Sequence, residues 1–61
     1  MKGDTNMITT EMYLTFIRNA VQTDGIHTTD IANKLALDME AITLDQYLAA
    51  AHILVEAYQA Q

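Results

Sequence analysis

Few polar side chains in this 61-residue chain have the type and spacing needed for chemistry. His52 and Glu56 are four residues apart, and Asp45 lies two helical turns before His52, so in a helix all three share one strip. This spacing could supply part of a metal site, because imidazole and carboxylate groups bind Zn²⁺, with further ligands from elsewhere or from a second chain. The same spacing is typical of an exposed ion pair, which we favour. We therefore predict no metal and no cofactor.

Catalytic residues are not indicated either. The sequence contains no serine and no cysteine, which removes the usual nucleophiles, and it has no glycine-rich loop to bind phosphate. His27 could titrate near neutral pH, but it stands alone in a predicted loop. A chain of this length has little room for a cleft with convergent acid and base groups. We predict a protein that is not an enzyme.

Charge and hydropathy exclude further classes. Eight acidic against three basic residues give a net charge of −5, and no lysine or arginine follows Lys34. Nucleic acid is therefore not an expected partner, because phosphate binding draws on clustered cations. The longest apolar run, residues 47–51, is too short for a signal peptide or a membrane span. The expected location is cytoplasmic.

Helix-start signals divide the chain into three elements. Thr9-Thr10-Glu11, Thr28-Thr29-Asp30 and a capping box from Thr43 to Gln46 each precede a helical pattern. They predict helices at about 10–24, 29–40 and 44–59 in a single domain, 8–61, with residues 1–7 a disordered arm or a non-native remnant. The fold class is all-α, a compact three-helix unit with antiparallel neighbours.

Apolar periodicity predicts the inward faces of the first two helices. The first helix is expected to bury a face that includes Tyr13, Phe16 and Ile17. In the second helix, the apolar residues that recur at helical spacing are expected to point inward; they are Ile31, Ala32, Leu35, Ala36 and Met39. The opposite side of that helix carries Asp30, Asn33, Lys34 and Asp38, with Leu37 among them, and is expected to face solvent; the alternative for Leu37 is contact with a partner.

The third helix indicates self-association. It is apolar over most of its circumference, apart from a strip that contains Asp45, His52 and Glu56, and two short helices can cover only one side of it. One core in a chain this small rarely suffices, and without disulfides or zinc the common remaining support is a dimer or a higher symmetric oligomer. A monomer with this helix sandwiched, or another protein as partner, are the alternatives. The predicted interface comprises Tyr13, Phe16, Ile17, Leu44, Tyr47, Ala50, Ile53, Leu54, Ala57 and Tyr58.

Two resemblances concern the middle of the chain. Residues 25–38 resemble the front half of helix-turn-helix regulators, which implies a recognition helix at about 39–48, although that stretch offers Glu40 and Asp45 and no Arg, Lys or Asn. Gly25 to Asp30 and Ile42 to Tyr47 resemble short phage-encoded XkdX-like proteins and related short helical modules at bacterial protein C-termini. Ala41 stands where that pattern has glycine, and the third helix is longer. This resemblance implies a small assembly or interaction role in a phage or prophage.

The sequence thus favours a small non-catalytic helical protein that self-associates through its C-terminal helix. The alternative is a helix-turn-helix type transcriptional regulator. A further alternative is an acidic inhibitor of a host enzyme or defence protein, with Asp30, Asp38, Glu40 and Asp45 as the residues to test.

Overall fold

A computed structural model describes residues 8–60 of the chain. It contains three helices, α1 (Thr10–Asp24), α2 (Ile26–Asp38) and α3 (Leu44–Ala60), and each helix packs against the other two. Within these residues there is no strand, so the predicted all-α class is confirmed. The predicted N-terminal arm, 1–7, lies outside the described residues.

Two of the predicted helix starts form as expected. The Thr9 side chain accepts a hydrogen bond from the Met12 backbone N–H at 3.1 Å and caps α1. At the start of α3, the Thr43 N–H donates to Oε1 of Gln46 at 2.9 Å, and the Gln46 N–H donates to Oγ1 of Thr43 at 3.1 Å. This reciprocal pair is the capping box that the sequence predicts.

A single residue, Gly25, connects α1 to α2. Its N–H donates to the Val21 carbonyl at 3.0 Å and closes α1, while its carbonyl accepts from the Thr29 N–H at 3.2 Å and opens α2. The φ of 93° at Gly25 lies in a region that residues other than glycine rarely adopt. Because the turn is this tight, α2 begins at Ile26, three residues before its predicted start, and Thr29 lies in its first turn.

The end of α2 is a second tight connection. The Ala41 N–H donates to the Ala36 carbonyl at 2.9 Å and the Glu40 N–H donates to the Leu37 carbonyl at 3.0 Å, which is the hydrogen-bond pattern of a Schellman motif. Glu40 occupies the left-handed position of this motif with φ 60°. Residues 39–43 then turn the chain into α3.

Hydrogen bonds between helices fix their directions. Nε2 of Gln46, at the start of α3, donates to the Ile8 carbonyl at 3.0 Å, so α1 and α3 begin at the same end of the bundle. Nδ2 of Asn33 in α2 donates to the Tyr47 carbonyl at 3.3 Å. Because α2 connects the two helices through tight turns, it runs opposite to both, as the antiparallel expectation requires.

The buried apolar core is small and comes from α1, α3 and the turn before α3. Its members are Tyr13, Ile17, Ile42, Ala50 and Leu54. No apolar side chain of α2 is fully buried; that helix contributes Ile26, Ala36 and Leu37 only at the edge of the core. The side chain expected at the surface, Leu37, is therefore half-buried.

Instead, α2 buries a polar side. Thr29 and Asn33 are almost completely buried, whereas Ile31, Leu35 and Met39 are each more than half exposed. The sequence-based assignment of the inward face of α2 is therefore wrong for Ile31, Leu35 and Met39, and of that face only Ala36 packs at the edge of the core. The reason is that the short connections at Gly25 and at residues 39–43 fix the rotation of α2, and partners from other elements satisfy its buried polar groups.

Candidate interaction surface

One side of α3 carries a continuous apolar stripe that the rest of the described chain does not cover. Leu44, Leu48, Val55 and Tyr58 are 59%, 54%, 53% and 70% exposed. Together with the half-buried Ala51 they follow each other at spacings of four, three, four and three residues. This is the spacing by which an α-helix keeps apolar side chains on one seam. We call these five residues the α3 stripe.

A groove borders the C-terminal half of the α3 stripe. It lies between α3 and the beginning of α2 and has a volume of about 760 Å³. Ile26, Leu54 and Val55 give it an apolar lining, and Asp24 and His27 are polar residues at the same place. An open apolar groove beside exposed apolar side chains is typical of a surface that binds another protein segment.

The structure separates the predicted interface residues into three groups. It buries some of them inside the single chain, because the inward side of α3 is centred on Gln46, Ala50 and Leu54. Those residues hold the three helices together and have little surface left for a second chain. The buried group is Tyr13, Ile17, Ala50 and Leu54; the half-buried group is Tyr47, Ile53 and Ala57; the exposed group is Phe16, Leu44 and Tyr58.

A second exposed apolar surface lies over the junction of α1 and α2. The Phe16 ring stacks on the Tyr13 ring with 6.3 Å between centroids, and the Tyr13 hydroxyl reaches Asn33 in α2. Phe16 and Met12 of α1 are more than half exposed, as are Leu35 of α2 and Met39, the residue that follows α2. The sequence pattern placed Phe16 in the predicted interface but missed this surface as a whole, because it assigned Leu35 and Met39 to an inward face.

A buried polar network ties the three helices together beneath these surfaces. The Tyr13 hydroxyl donates to Oδ1 of Asn33, and Nδ2 of Asn33 donates to the Tyr47 carbonyl. Burial raises the pKa of the Tyr13 hydroxyl above its ordinary value of 10.0, because the phenolate would lose hydration. Between residues 8 and 60, every buried side-chain nitrogen and oxygen has a hydrogen-bond partner.

The strip that could have supplied metal ligands carries an exposed contact between a histidine and a glutamate side chain. Nε2 of His52 lies 3.3 Å from Oε2 of Glu56, and both side chains are mostly in solvent. In the part of the chain that the structure describes, no three histidine or acidic side chains converge as a metal site would require. His27, expected in a loop, lies in the first turn of α2 beside the groove.

The acidic residues do not form one cluster. Oδ2 of Asp30 lies 3.8 Å from Nζ of Lys34, one turn later on α2. Asp38 and Glu40 lie at the end of α2 and Asp45 at the start of α3, all exposed at the same end of the bundle. Residues 39–43 of the segment predicted as a recognition helix are a turn.

Comparisons with protein-family models, with curated proteins and with solved structures give no significant match. Over residues 8–60, none of the helices is long and apolar enough to cross a membrane.

Proposed function

We propose that this protein is a small non-catalytic interaction protein that assembles with copies of itself through α3. The observation that carries the proposal is the α3 stripe, in which four large apolar side chains are more than half exposed along a 17-residue helix. Folding of the single chain leaves this row in water. Association of two copies would remove it from water, and full burial of a leucine contributes roughly 1.5–3 kcal/mol relative to full exposure.

The small core supports self-association as the use of this stripe. Five apolar side chains are buried in the described chain, and none of them comes from α2. A single core of this size contributes only about 3–5 kcal/mol of net stability in chains below about 70 residues. A second copy adds apolar burial without a disulfide or metal, which matches a sequence that has no cysteine.

Mass determination in solution tests this proposal. Sedimentation equilibrium over a wide concentration range should give a mass above the 6.8 kDa of one chain. Leu48→Glu should shift the mass toward one chain while the circular dichroism stays helical, because the new charge would lie unpaired in the contact. The matched control is Leu35→Glu, which places the same charge at an equally exposed leucine on α2 and should leave the mass unchanged.

Two results would overturn the proposal. A wild-type protein that has the mass of one chain at all concentrations has no self-association to explain. If Leu35→Glu dissociates the protein and Leu48→Glu does not, the contact lies on the α1–α2 surface and not on α3. Ala50→Glu is unsuitable for this test, because Ala50 is fully buried within one chain and the variant would unfold with or without a partner.

The two sequence-based alternatives remain predictions with their own tests. A helix-turn-helix regulator requires binding to duplex DNA with a steep dependence on salt concentration, and a titration at low salt that shows no binding removes it. An acidic inhibitor requires a basic target surface that recognises Asp38, Glu40 and Asp45, which lie at one end of the bundle. The resemblance to phage-encoded proteins bears on origin, and the genes adjacent to this one would test it.

A further inference from the structure

Building on the proposed self-association, we infer that two copies meet with their α3 helices antiparallel about a two-fold axis near Ala51. In this arrangement Leu44 and Leu48 of each copy lie in the groove beside Val55 and Tyr58 of the other copy. Self-association alone specifies neither this orientation of the helices nor the residues that are in contact.

The order of residues in the α3 stripe is the first argument. Ala51 stands at its centre, with Leu48 and Leu44 three and seven residues before it, and Val55 and Tyr58 four and seven residues after it. Reversing the helix about Ala51 therefore places large side chains opposite large ones, Leu44 against Tyr58 and Leu48 against Val55. The small methyl group of Ala51 falls at the crossing point, where a small residue allows two helices to approach closely.

The position of the groove is the second argument. The groove accompanies only the C-terminal half of the α3 stripe, where Ile26 and Leu54 line it, while the two exposed leucines occupy the N-terminal half. A two-fold axis through the middle of the helix exchanges the halves, so that the leucines of each copy meet the groove of the other. A two-fold contact must be self-complementary in this way.

The distribution of charge is the third argument. Asp38, Glu40 and Asp45 lie at the end of the bundle where α3 begins, whereas the groove beside the end of α3 is lined by His27 together with Asp24 and Asp30. An antiparallel pair keeps Asp38, Glu40 and Asp45 of one copy away from the same three carboxylates of the other copy. It also aligns the positive N-terminal end of one α3 with the negative C-terminal end of the other. A parallel pair would bring both acidic ends together.

Site-specific cross-linking tests the orientation, because the chain has no cysteine of its own. Asp45→Cys and Gln59→Cys place thiols at exposed positions that flank the α3 stripe without shortening any of its side chains. The two variants are mixed in denaturant, refolded together and oxidised. The two positions are 14 residues apart in sequence (59 − 45), or about 21 Å along the helix.

We expect the 45-to-59 disulfide between the two variants to exceed either like-with-like disulfide by at least about tenfold, because only thiols brought within a few ångströms can be joined. Leu35→Cys, on the outward side of α2, serves as the control for random collision and should give few disulfides. Sedimentation of the same samples under reducing conditions tests self-association separately from the orientation of the contact.

A dimer mass with predominantly like-with-like disulfides would overturn the antiparallel orientation and keep self-association. A dimer mass with no more disulfide than Leu35→Cys gives would overturn the contact through α3. A mass of one chain in every sample would overturn the proposed function itself.

Discussion

The side-chain hydroxyl of Tyr13 donates a hydrogen bond to Oδ1 of Asn33, with 2.5 Å between the oxygens, and so joins α1 to α2 inside the bundle. Asn33 also joins α2 to α3, because its side-chain amide donates a hydrogen bond to the Tyr47 carbonyl of α3. One asparagine on a helix face that the sequence assigned to solvent thus connects all three helices.

Removal of the Tyr13 hydroxyl tests this connection. Tyr13→Phe leaves Oδ1 of Asn33 buried without its donor, and we expect a loss of about 1–3 kcal/mol in the free energy of unfolding. Urea unfolding followed by circular dichroism measures the change. Tyr58→Phe removes the same hydroxyl from a side chain that is mostly exposed and should change stability by less than about 0.5 kcal/mol. Equal effects of the two changes would contradict the role given to the buried hydrogen bond.

The raised pKa of Tyr13 predicts a loss of stability at alkaline pH. The unfolded chain releases this proton near pH 10, before the folded protein does, so above about pH 10 the folded protein binds more protons. The free energy of unfolding should therefore fall as the pH rises through the folded pKa, and this contribution is complete below pH 10. Tyr13→Phe lacks it. The stability difference between wild type and variant should narrow between pH 8 and pH 11, and a constant difference would count against the burial argument.

Substitutions that remove the side-chain N–H donor of Gln46 should lower the free energy of unfolding. Its Oε1 accepts from Thr43 and its Nε2 donates to the Ile8 carbonyl, and the side chain is nearly fully buried. Gln46→Glu keeps the shape but turns a carboxylate toward a carbonyl, so we expect a loss of about 2–3 kcal/mol at neutral pH. The control, Gln22→Glu on the exposed side of α1, should cost less than about 1 kcal/mol. Thermal unfolding of both variants measures the contrast.

Two leucine-to-alanine substitutions, one in the core and one on α2, test which side of α2 faces the core. Leu54→Ala empties a buried site in the core and should cost about 2–5 kcal/mol, or prevent folding. Leu35→Ala removes the same atoms from a side chain more than half exposed and should cost less than about 1 kcal/mol. If Leu35→Ala proved as damaging as Leu54→Ala in urea unfolding, α2 would have its apolar face inward, as the periodicity alone suggests.

Glu40 offers a stabilising substitution. Its left-handed conformation, φ 60°, costs about 1 kcal/mol for a residue with a side chain, and glycine adopts it freely. Glu40→Gly should therefore raise the free energy of unfolding by about 1 kcal/mol, measured by urea unfolding. Ala41→Gly, one residue later at a negative φ, should give no gain, since glycine there only adds freedom to the unfolded chain. A gain in the free energy of unfolding from Ala41→Gly and none from Glu40→Gly would contradict the left-handed conformation of Glu40.

The local signals in the sequence determined most of the secondary structure. The caps at Thr9 and Thr43 form because their partners lie three residues away, so neighbouring residues suffice to specify them. The start of α2 was misplaced, because Thr28-Thr29-Asp30 looks like a cap, whereas Gly25 closes one helix and opens the next with its backbone alone. The apolar excess of α3 is also visible in the sequence, and two of its exposed residues, Leu44 and Tyr58, belong to the predicted interface.

Only the tertiary structure decided which sides of the helices are free. Periodicity shows that a helix has an apolar side, but the rotation of α2 follows from its two short connections and from the hydrogen bonds that Tyr13 and Tyr47 offer to Asn33. Those partners are 20 and 14 residues away from Asn33, so no local pattern could indicate them. For the same reason, the sequence could not separate Ala50, fully buried within one chain, from Leu48, which the folded chain leaves exposed.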